Sequence, residues 1–178
     1  MVNVLGVSAR AEEVSAALPG DDIVPDAVVV MNRGFTLPAT PDRVWPWIAQ
    51  LGRNRSGWYL PRWVEAVLPR GRRALRHVDD SLQHLSPGDV IDDWPGRDDT
   101  FEIVVHRAPD LVVHRSTRGD LRISWVIALR AEGPATRVHL RLRLGGVRRK
   151  LLVETAGELV DLLTVAGLAA GLRERVAP

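Results

Sequence analysis

The chain has no cysteine, which removes disulfides, thiolate metal sites and cysteine nucleophiles from consideration. It is almost without lysine: of 24 basic residues 23 are arginine, and 22 acids nearly balance them, leaving a net charge of +2. The pI of 9.9 therefore reflects arginine's high pKa more than a strong positive field, and gives little support to a nucleic-acid partner. The first residues lack a basic segment followed by an unbroken apolar run, so no signal peptide is read there. In the last apolar stretch the longest uncharged run is Leu162 to Leu172, too short to span a bilayer. A P-loop, a dinucleotide fingerprint and a nucleophile elbow are all missing. No histidines stand in His-x-His or His-Glu-x-x-His spacing, so no metal and no other cofactor is expected. These absences predict a soluble, cytoplasmic protein with neither a nucleic-acid partner nor a membrane span.

What is present reads as one globular domain. With 178 residues, 46% of them hydrophobic, the chain can bury a real core. Residues 1–24 form a leader, loose or carrying a short helix over Ala9 to Leu18, and residues 25–178 form the domain. Val28 to Leu37 reads as a strand with Val29, Met31, Phe35 and Leu37 on one face, interrupted by Arg33. Thr40 and Pro41 suit a helix start, and Gly52 its end. Arg62 to Leu68 suits a second short helix. Further strands follow over Val90–Trp94, Thr100–His106, Leu111–Ser116, Leu121–Arg130 and Thr136–Leu144, and their short turns imply antiparallel pairing. Ile123, Trp125, Ile127 and Leu129 share a face, as do Val138, Leu140, Leu142 and Leu144. The opposite face, with Arg137, His139, Arg141 and Arg143, is expected to meet water.

From about Leu151 to Arg175 the chain reads as one long helix. Leu152, Ala156, Leu159, Leu163, Ala166 and Ala170 form the stripe expected to face the sheet. Val165, Leu168 and Leu172 form a second apolar side that water should not see. Either the leader or a second subunit is expected to cover it, which makes these three a candidate homodimer surface.

This order, with Phe35-Thr36-Leu37-Pro38-Ala39-Thr40-Pro41-Asp42-Arg43-Val44-Trp45 at the first strand–helix junction, resembles the START-like superfamily. That group, also called SRPBCC, includes polyketide cyclases and dehydratases, lipid-transfer domains and the birch-pollen-allergen (Bet v 1-like) ligand carriers. Gln50-Leu51-Gly52, Gly57-Trp58-Tyr59, Trp63-Val64-Glu65, Leu82-Gln83 and Gly88-Asp89-Val90-Ile91 are similar to a bacterial branch of it. The resemblance implies an α+β helix-grip fold, in which a curved antiparallel sheet wraps a long C-terminal helix. Short helices lie between the first two strands, and an elongated apolar cavity lies under the last helix. It does not choose between carrier and enzyme, because the scaffold hosts both.

The residues expected to bind a small hydrophobic, aromatic, lipid- or polyketide-like ligand are mainly aromatic. Trp58, Tyr59, Trp63 and Trp94 stand in irregular segments, while Phe101 and Trp125 stand on strands, and an indole N–H can orient what it touches. His114 and Arg115 would add polar contacts, and Leu163 and Gly167 would roof the space. Of the five histidines (77, 84, 106, 114 and 139), His114 is the best catalytic candidate. A cyclase or dehydratase would pair it with Arg33 or Arg115 as acid and base. Asp92, Asp93, Asp98 and Asp99 read as a solvated loop ahead of a cation site. The clusters at Arg70–Arg73 and Arg148–Lys150 could hold phosphate, although a solvated role is the simpler account.

Overall fold

Val29, Met31, Phe35 and Leu37 bury one side of strand β1 (Val29–Leu37) in the computed structural model of the chain. The structure describes residues 4–94, 96, 98–147 and 153–177. The expected residues Leu151 and Leu152, the cluster Arg148–Lys150, and Pro95 and Arg97 of the acidic loop lie outside these. After β1 the chain turns into α2 (Pro41–Ala49), where Pro41 occupies the first turn and its fixed φ suits the helix. Thr40 stands at the N-cap position, but its hydroxyl makes no capping bond. Helix α3 (Arg62–Val67) follows.

The remaining strands are β2 (Val90–Asp92), β3 (Thr100–Arg107), β4 (Leu111–Arg118), β5 (Leu121–Glu132) and β6 (Ala135–Gly145). They pair antiparallel throughout in the order β1-β6-β5-β4-β3-β2, so the last strand returns beside the first. Gly133, at φ +60, and Pro134 alone join β5 to β6. This pair fits the type II′ turn whose twist matches the strands it connects.

A single π turn (Val153–Gly157) runs into the closing helix α4 (Glu158–Val176). At 19 residues it extends roughly 28 Å and packs against β1 and α2. Its buried side chains are Val165, Leu168, Ala169, Leu172 and Val176, whereas Leu159 and Leu163 are more than half exposed. Leu159 and Leu163 of the stripe expected to face the sheet therefore face away, Ala166 packs partly against the core, and Val165, Leu168 and Leu172 of the expected outer face are core. The reason lies in the helix itself: it is apolar on every side, so its periodicity selects no face. With Val165, Leu168 and Leu172 consumed inside the protomer, the homodimer surface expected from them does not exist. By length and composition residues 155–176 could cross a bilayer. Here, however, Glu158 and Asp161 near its start pair with Arg33, and Arg175 near its end pairs with Glu65.

The face of β6 expected to meet water is buried too. The leader, with α1 (Ala11–Ser15), folds back across it. Both Glu13 oxygens accept from Arg137 at 2.7 Å. Arg141, only 3% exposed, donates to the Glu13 and Ala16 carbonyls and to Asp21. His139 meets Asn32 Oδ1 at 3.0 Å, and Arg143 donates to the Val24 carbonyl. Leu18 and Ile23 add an apolar patch over Leu111, Val113 and Val126.

Candidate functional site

The inner face of the sheet places large apolar side chains opposite one another. The register sets Trp125 of β5 against Leu142 of β6 and His114 of β4, Ile123 against Leu144, and Met31 of β1 against Leu142. Below the first half of α4 these groups do not close up. Met31, Phe101, Ile123, Trp125, Leu142 and Leu144 from the sheet line a cavity of about 640 Å³. Its roof is Gly157, Val160, Asp161, Thr164 and Val165, and its mouth carries Trp58, Asp93 and Trp94. The volume falls in the ~300–1,000 Å³ range of small-molecule sites.

The aromatic wall has a defined geometry. Trp125 stacks against Trp58 (centroids 6.1 Å apart, 29° between planes) and against His114 (4.7 Å, 29°). Phe101 lies 5.9 Å from Trp125, and Trp94 meets Trp58 edge-on at 6.1 Å. The polar groups on this wall are mostly held by the protein. Trp58 Nε1 donates to the Thr164 carbonyl and the Thr164 hydroxyl to that of Val160. Asp161 accepts from Arg33 Nε at 2.7 Å. Burial pushes the Asp161 carboxyl above its ordinary value, and Arg33 offsets only part of that. Asp93 pairs with Arg118. Among the described residues the Trp125 N–H has no hydrogen-bond acceptor.

Of the expected site residues, Trp58, Trp94, Phe101 and Trp125 line this cavity. The other expected site residues do not. Tyr59 is fully buried behind α2, its hydroxyl bonded to Ser56 and to the Trp47 carbonyl, and burial pushes its pKa up to about 12. Trp63 is 75% exposed on α3. Arg115 points outward and binds Glu102 through two 2.8 Å contacts. Leu163 faces away from the cavity, and Gly167 faces Leu60. His114 is on the inner face but sealed behind Trp125, whose carbonyl lies 3.1 Å from Nδ1. Burial lowers its pKa to about 4, so it is neutral at pH 7 and out of reach of the cavity.

Sequence reasoning missed Asp161, Val160 and Thr164, because α4 was rotated in that reading. Arg33 carried a usable signal, since a charge on an apolar strand face requires a partner. In the acidic loop Asp92 accepts from Asn54, and Asp93 and Asp99 both bind Arg118. No group of three candidate metal ligands occurs among the described residues.

No family model matches the chain, and no curated protein matches it in sequence. Solved structures match it in fold. CalU16 from Micromonospora echinospora aligns with a TM-score of 0.53 at 16% identity, covering 84% of this chain and 77% of that one. Protein MLL2253 from Mesorhizobium loti gives 0.50 at 15% identity, covering 84% and 100%. A protein from Arthrobacter aurescens gives 0.50 at 14% identity, covering 90% and 92%. Identities this low speak to architecture and leave activity open. Six antiparallel strands gripping one long C-terminal helix, the architecture these structures match, give the chain a helix-grip fold.

Proposed function

We propose that the protein binds a small hydrophobic, ring-containing molecule in the cavity between the sheet and α4. One observation carries this reading: three stacked or edge-on indoles and Phe101 border an apolar space of about 640 Å³ that no side chain fills. Affinity would come from apolar area removed from water, about 25 cal/mol per Å², and orientation from the free Trp125 N–H. Binding is favoured over turnover because the acid–base pairs expected for a cyclase are not assembled. His114 is sealed and neutral, Arg115 lies outside, and Arg33 is held by Asp161 and Glu158.

The test uses N-phenylnaphthylamine, an uncharged aromatic probe whose fluorescence rises in apolar surroundings. The wild-type chain should give a saturable rise. Val160→Trp should abolish it with no change in Tm, because Val160 is 62% exposed at the cavity roof and a larger side chain there enters the space without disturbing the core. A wild-type chain that never saturates, or a V160W chain that binds as before, would refute the reading.

A further inference from the structure

Trp58 and Trp94 each have a second side. Beyond them, segments 53–60 and 68–75 enclose another space of about 650 Å³, and both indoles line it as well as the apolar cavity. Four of its lining residues are arginines, Arg53, Arg55, Arg72 and Arg73, and none is acidic. That is out of keeping with this chain, where arginine habitually meets carboxylate, as Arg118 and Arg137 do. Here Arg53, Arg55 and Arg73 donate only to backbone carbonyls, and Arg72 has no ion pair among the described residues. The nearby carboxylate of Asp92 is turned to Asn54 and does not line the space.

We propose that this arginine-lined space holds the oxyanion head group of the same molecule whose apolar body lies under α4, with Trp58 and Trp94 as the wall the two parts share. The inference rests on the ligand-binding reading above and narrows its ligand class to anionic amphiphiles. Guanidinium groups present paired N–H donors that match the oxygens of a carboxylate, sulfonate or phosphate. Four cations with no carboxylate among the lining residues also concentrate positive potential in one recess, although Asp89 offsets part of the Arg55 charge. A neutral ligand would leave that charge unused. Free inorganic phosphate would leave the adjoining apolar cavity empty.

Two probes with nearly the same aromatic body separate these cases: anilinonaphthalene sulfonate and the uncharged N-phenylnaphthylamine. The wild-type chain should bind the sulfonate about ten-fold or more tightly than the neutral probe, and added salt should weaken only the sulfonate. The double variant R72A/R73A, at two exposed positions, should remove that preference and leave neutral-probe affinity unchanged. In V160W both probes should lose affinity together. Equal affinities in the wild-type chain, or a preference that survives in R72A/R73A, would overturn the head-group assignment while neutral binding still stood. Full sulfonate binding to V160W would make the recess a separate anion site and overturn the single-ligand proposal. Failure of both probes would sink it together with the reading it rests on.

Discussion

His114 stands on the inner face of β4, against the Trp125 ring and away from the cavity. Burial disfavours its charged form and holds its pKa near 4. The unfolded chain, with an ordinary value of 6.5, therefore takes up the proton first as pH falls. The stability due to the neutral ring is complete above pH 6.5 and is lost through the window down to 4, by about 3 kcal/mol in all. Replacing His114 with Phe should shrink the acid loss by about that amount in urea unfolding at either end of the window. A residual slope is expected from His106, His139 and Glu13, whose values are also depressed. An H114F chain with the wild-type acid limb would disprove the assignment. At this scale the sequence was partly legible. Trp125 could be placed because strand alternation says which way it points. Tyr59 could not, because an irregular segment has no period, and the Trp47 carbonyl that anchors its hydroxyl is invisible before folding.

The closing helix explains its own glycines. A Cβ on Gly171 would lie 2.6 Å from Leu60 N and from the Tyr59 carbonyl carbon, which are backbone atoms that cannot move aside. On Gly167 it would meet only Leu60 Cδ2, the end of a flexible side chain. G171A should therefore cost about 2 kcal/mol despite alanine's better helix propensity. G167A should be neutral, or gain up to about 1 kcal/mol. Denaturation midpoints would rank the two, and the reverse order would show that α4 is seated differently. Sequence reasoning gave this helix its C-terminal end and its covering role, yet started it near Leu151, where α4 begins at Glu158 behind a π turn, and turned it the wrong way. Size misled it: Leu159 and Leu163 look like core residues, but the small Ala169 is fully buried, and on another side Gly171 lets residues 59–60 approach closely. The strands were far more legible, because a period of two leaves only two faces to choose between.

Across the whole molecule, the leader decides what happens to the arginine row of β6. Alternation showed correctly that Arg137, His139, Arg141 and Arg143 share a face. Their partner could not be foreseen, since Glu13 stands 124 positions from Arg137 in a segment with no strand pattern. Burial alone would raise the Glu13 pKa, but hydrogen bonds from Arg137 and from the Arg10 N–H, together with the nearby positive charge, more than offset that and hold it below its ordinary value. Glu13→Gln leaves the Arg137 charge buried without its counter-ion and should cost about 3 kcal/mol or more, whereas E13M/R137L, which removes both charges, should be close to neutral. A urea double-mutant cycle through E13M, R137L and E13M/R137L reads the coupling, and a double-variant loss equal to the sum of the two single losses would show the pair to be uncoupled. The leader also has a part in which charge plays no role. Gly34 N–H donates to the Val7 carbonyl and Ser8 bridges to Arg33, so the leader runs along the outer edge of β1, while the opposite edge, β2, is only three residues long. An open edge strand is a template on which a neighbouring chain can add. Residues 7–8 seal that edge, and it is in resistance to aggregation, before any loss of ligand chemistry, that their removal would be felt.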